Sequence, residues 1–153
     1  MNKRKLSDST QQRKAEKEQI QRVSMLLNIP DLRENPTLQF KSDASVTIKP
    51  DFYSESAGVI GEIHTHYGKM RVGQRHKLAA DILKMLLFEE DLKKELKKYI
   101  IVCSEAEKRY LEGNSYIAKA VKMHHINVVY IPLDAEREEK VRKAMLDEDL
   151  RSQ

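Results

Sequence analysis

Around residue 46 the spacing of apolar positions changes from helical to alternating. Before that point, residues 11–27 contain neither glycine nor proline and gather Ile20, Val23, Met25, Leu26 and Leu27 towards their far end. This predicts a helix that becomes amphipathic as it meets the body of the protein. Asn28-Ile29-Pro30 ends it, and residues 31–43, polar and broken by Pro36, predict a loop. Val46 and Ile48, and after a turn at residues 54–58 Val59 and Ile63, then alternate with polar residues. Such alternation predicts a β-hairpin with one buried face. Its other face carries Thr47, Lys49 and Asp51 from the first strand and Glu62, His64 and His66 from the second.

Gly68 and Gly73 bracket a loop, after which Leu78, Ile82, Met85 and Leu86 follow helical spacing within residues 74–90. Gln74, Lys77 and Asp81 form an adjacent polar stripe. Lys98 to Cys103 is a nearly continuous apolar run, which predicts a strand covered on both faces. Ser104 and Glu107 have the spacing of a capping box, and Ser115 can open a second helical stretch after Gly113-Asn114. Asn127 to Ile131 predicts another buried strand, parallel to the one before it. Residues 134–153 predict a charged helix or tail with a weak apolar edge at Val141, Met145 and Leu146. Helix, hairpin, helix, strand, helix, strand is the order of an α/β sandwich on a mixed sheet.

A length of 153 residues suits one domain with its own core. No apolar run approaches a membrane span. The single cysteine, Cys103, lies in an apolar run, so the expectation is a reduced, cytoplasmic protein with no disulfides and no membrane partner. The net charge of +4 resides wholly in residues 1–22, where seven Lys or Arg face three acids. A basic arm ahead of a neutral body steers a protein towards a polyanion, and residues 1–10 are expected to be its disordered part.

Two carboxylates on facing strands, Asp51 and Glu62, can share a hard divalent cation, Mg²⁺ or Mn²⁺. Such an ion activates water and clamps phosphate. Pro50-Asp51 followed by Gly61-Glu62-Ile63-His64, within this order of elements, resembles the PD-(D/E)xK nuclease superfamily over about residues 10–132. The resemblance implies a restriction endonuclease-like α/β sandwich over residues 11–133: a central mixed sheet, antiparallel at the hairpin and parallel in the βαβ part, flanked by helices. It also implies a DNA-cleaving enzyme with metal at Asp51, Glu62 and the Ile63 carbonyl, joined by an acid from the first helix, Glu18 or Glu16. The lysine expected two residues after the second acid is His64 here. Lys77, Lys69 and Lys49 are the candidates to replace it, with Lys77 favoured because the family also places this lysine on the neighbouring helix. Gln74 resembles a glutamine that some members carry at that helix start. His64 itself could serve as a base, its ordinary pKa lying near 6.5.

Lys49, Lys69, Arg71 and Arg75 supply candidate phosphate contacts, and a homodimer is expected if both strands are cut. Two other readings use the same residues. His64 and His66 with a neighbouring acid could hold a transition metal. Alternatively, a nuclease-fold protein that has lost its lysine could serve in nucleic-acid binding or assembly without catalysis.

Overall fold

The computed structural model describes the backbone of residues 3–151 and the side chains of residues 10–150. Among the described residues the chain forms five helices and a five-stranded mixed sheet, with a small two-stranded sheet beside it. The elements are α1 (Lys3–Leu26), β1 (Arg33–Glu34), β2 (Leu38–Gln39), β3 (Thr47–Ile48), β4 (Phe52–Ser54), β5 (Val59–His64), α2 (Val72–Leu92), β6 (Lys97–Val102), α3 (Glu105–Leu111), α4 (Tyr116–Met123), β7 (Asn127–Tyr130) and α5 (Ala135–Arg151). The main sheet runs β1-β4-β5-β6-β7, antiparallel from β1 to β5 and parallel from β5 to β7.

The hairpin is shorter and later than alternation alone predicts. Pro50 has no N–H to give to a ladder, so the run from Val46 does not continue as one strand. Thr47–Ile48 pairs instead with Leu38–Gln39 in the small sheet, and Phe52–Ser54 pairs with β5. The region expected to be a loop thus contributes β1 and β2. The turn at residues 55–58 closes on Gly58, whose φ of +64° favours glycine.

Helices α2, α3 and α4 cover one face, where Ile60, Ile100 and Val102 meet Leu78, Ile82, Met85, Phe88, Leu111 and Ile117. On the other face Ile20 and Val23 of α1 pack over Phe52, Val59, Ile63 and Ile101. Gly61 permits the close approach there, since a Cβ on it would lie 2.0 Å from the ring of Phe52, its cross-strand partner. α5 docks beside α1, burying Val141 against Ala15, Tyr67, Cys103 and Leu133. The charged tail is therefore part of the body, and α1 begins at Lys3 rather than after a ten-residue arm. The absence of glycine and proline before Pro30 is the physical reason for the longer helix. β7 is an edge strand and only half-buried, unlike the covered strand its apolar run predicts. Among the described residues no helix is long and apolar enough to cross a membrane.

Candidate active site

The register of the hairpin decides what Asp51 faces. Phe52 pairs with Gly61 and Tyr53 with Ile60, so one further step brings Asp51 opposite Glu62. Pro50 has stopped the ladder, and the Asp51 side chain takes over its role: Oδ2 accepts the Ile63 amide at 2.7 Å. The Asp51 carboxylate is thereby tied to the strand, half-buried, within hydrogen-bonding reach of Glu62. Lys49 is exposed and Thr47 lies off the main sheet.

Glu62 and His64 alternate with Gly61 and Ile63, so they point to the face covered by α2. There they enter a buried chain of charges. Lys84 of α2 places Nζ 3.0 Å from Glu62 Oε1 and 3.0 Å from Asp81 Oδ1. Asp81 Oδ2 lies 2.8 Å from His64 Nε2, and His64 Nδ1 lies 2.9 Å from Glu107 Oε1 of α3. The His64–Asp81 contact is an aligned hydrogen bond. The Glu62–Lys84 and His64–Glu107 contacts are close ion pairs without that alignment, and Glu62 Oε1 and both Glu107 oxygens have no aligned hydrogen bond. Ser104 caps α3 by accepting the Glu107 amide, but the Glu107 carboxylate turns inward to the imidazole instead of completing the box.

These neighbours set the charge states. Burial alone would lower the pKa of His64, but Asp81 and Glu107 outweigh it and raise the pKa to about 9, so the ring is an imidazolium at neutral pH. Both its nitrogens are engaged, which leaves no lone pair for a base or a transition metal. Burial, then the negative charges of Asp51 and Asp81, push Glu62 up to about 9 against the pull of Lys84. Burial would also raise Asp81, yet His64 and Lys84 hold it below the usual carboxylate range. Glu16 of α1 is raised by burial and by Asp51, while Lys77 and His64 pull it down, which places it at the rim of the same site.

The other site candidates scatter. Glu18 pairs with Arg137 of α5 at 2.8 Å and faces away, so Glu16 is the acid that α1 turns towards Asp51. Lys77 is exposed on the α2 stripe, and its charge is felt at Glu16. His66 Nε2 lies 3.1 Å from the Lys69 carbonyl oxygen, in the loop ahead of α2. Arg71 is held by Asp149 of α5 through two hydrogen bonds of 2.6 and 2.9 Å. Lys69 and Arg75 are exposed. A cleft of about 280 Å³ next to this loop is lined by Gln12, His66, Lys69 and Gln74 among others, and Gln74 Oε1 is buried without a partner.

Sequence reasoning passes over Lys84 and Glu107. Lys84 has a readable signal, since it follows Lys77 by seven and Asp81 by three and so extends the same helical stripe. Glu107 has none, because its spacing from Ser104 already accounts for it as a cap. As a fit for metal, Asp51 and Glu62 offer hard oxygen donors, one of them lacking an aligned hydrogen bond, with the Ile63 backbone between them in the site. Among the described residues no three His, Cys, Asp or Glu side chains form a ready cage. Two protein carboxylates with the rest of the shell left to water and substrate is a Mg²⁺-type arrangement. Comparison with family models, curated proteins and solved structures finds no match to the chain.

Proposed function

We propose that this chain is a restriction endonuclease-like domain that hydrolyses DNA phosphodiesters with Mg²⁺ or Mn²⁺. The observation that carries the reading is the juxtaposition of Asp51 and Glu62 at the point where the antiparallel hairpin joins the parallel strands. Asp51, Glu62 and the Ile63 carbonyl would hold the ion, which when bound supplies Lewis acidity and an activated water.

The protein's own residues do the remaining work. Burial excludes bulk solvent from Glu62, and the Ile63 amide fixes Asp51. Lys77, exposed at the rim with its charge felt at Glu16, would orient a water or neutralise charge that develops on phosphate. Gln74 presents an unpartnered carbonyl oxygen near the loop. Lys49, Lys69 and Arg75 are exposed for phosphate contacts, and Arg71 must exchange Asp149 for a phosphate to join them. Such contacts hold the backbone without reading sequence. A small domain of this kind cuts both strands of a duplex as two copies.

The test is cleavage of supercoiled DNA under Mg²⁺ or Mn²⁺, together with metal affinity. Asp51→Asn and Glu62→Gln are expected to abolish cleavage and to weaken metal binding while leaving the fold and salt-sensitive DNA binding in place. Unchanged metal affinity in both variants overturns the reading. Metal-independent DNA binding without cleavage by the unaltered protein favours the non-catalytic binder, to which the engagement of His64 at the motif lysine position already gives some weight.

A further inference from the structure

We propose that Lys84 is the positioning residue of the metal-binding carboxylate Glu62, held in register by the chain Asp81–His64–Glu107; this rests on the metal-site reading above. Lys84 reaches Glu62 and Asp81 at the same distance, 3.0 Å, so its ammonium bridges a strand and a helix. Both carboxylates are almost fully buried, their side chains 3 % and 6 % exposed, whereas Lys84 is one-third exposed. The pair is thus anchored from within and completed from the rim.

The supporting groups have little freedom. Asp81 is fixed by His64, and His64 by Glu107, whose side chain is wholly inaccessible. Three elements, β5, α2 and α3, are tied together through these contacts. Acidic and basic side chains alternate along the chain: Glu62, Lys84, Asp81, His64 and Glu107. Glu62 is the end of this chain that meets Asp51. Without Lys84, Glu62 and Asp81 would lose the cation that bridges them in a buried setting, and the Glu62 side chain would be free to turn away from Asp51.

Positioning and simple electrostatics predict opposite signs here. Removing a cation 3.0 Å from a ligand oxygen strengthens the attraction of the site for a metal ion if charge alone matters. Loss of a group that orients a ligand typically weakens binding by about 10- to 100-fold. The experiment is titration of the full chain with Mn²⁺, followed by electron paramagnetic resonance, for the unaltered protein, Lys84→Met, Lys84→Arg and Glu62→Gln, with thermal melting of each metal-free protein.

Lys84→Met is expected to weaken Mn²⁺ binding by about 10-fold or more and to alter the spectrum of the bound ion. Lys84→Arg is expected to recover most of the affinity. Mn²⁺ binding by Lys84→Met that equals or exceeds that of the unaltered protein, while Glu62→Gln abolishes it, overturns the positioning role alone. Absence of Mn²⁺ binding by the unaltered protein overturns the metal-site reading and this inference together. If Lys84→Met does not fold, Lys84→Gln, which keeps an N–H donor, is judged by the same signs.

Discussion

At the scale of single residues, Gly61 and Pro50 prepare the site before any charged group is considered. Pro50 ends one pairing, and Gly61 lets the Phe52 ring lie across the strand so that Asp51 falls opposite Glu62. Gly61→Ala would bring a methyl to 2.0 Å from that ring. It is expected to cost about 1–3 kcal/mol, the usual range for overpacking, in urea unfolding. Combining it with Phe52→Leu should cost less than the two single changes together, because the substitutions share one contact. Additive costs would show that the ring is not what excludes a side chain there.

The element that carries most of the chemistry is α2. Its buried stripe of Leu78, Ile82, Met85 and Phe88 fixes the rotation of the helix against the sheet. That rotation aims Asp81 at His64 and Lys84 at Glu62, and leaves Lys77 at the open end. If Lys77 assists water, Lys77→Ala is expected to lower kcat by about 100-fold or more, the scale of general acid–base effects, with Mn²⁺ affinity unchanged. A kcat unaffected by Lys77→Ala would remove Lys77 from that role. Helix α1 shows the same dependence on rotation: of two acids two residues apart, Glu16 faces Asp51 and Glu18 faces Arg137.

For the whole molecule, the buried charges couple folding to pH. His64 is raised from 6.5 to about 9, so the stability it contributes is complete below about pH 6.5 and is lost as pH rises through about 9. Glu62, raised from 4.5 to about 9, adds a loss in the same direction, because the folded protein again holds the extra proton. The depressed pKa of Asp81 works in the opposite sense, its contribution disappearing as pH falls through that lowered value. In a chelator, Tm is therefore expected to fall between pH 6.5 and 9, and Glu62→Gln should flatten part of that slope. If a cation binds at Asp51 and Glu62 as proposed, it would displace the Glu62 proton, so Mn²⁺ is expected to raise Tm most at the alkaline end. A Tm that is level across this range would contradict the charge states derived from the buried chain.

The sequence by itself determined the order of most helices and strands, because apolar period and capping residues are local properties. Ser104 and Ser115 open their helices as read, and the stripe Gln74-Lys77-Asp81 lies on α2 as read. It also singled out Asp51 and Glu62, since parity along two strands separated by a turn is legible without coordinates. Tertiary structure alone decided what each charge meets. The small sheet took Thr47–Ile48 away from the hairpin because Pro50 cannot donate to a ladder, and α5 docked on α1 because Val141 and Ala15 bury one another. The fate of His64 turned on Asp81 and Glu107, which lie 17 and 43 positions along the chain and are brought to its two nitrogens only when α2 and α3 cover the same face of the sheet. A side chain's identity fixes which charges it can carry, but the charge it does carry depends on burial and on partners that only packing supplies.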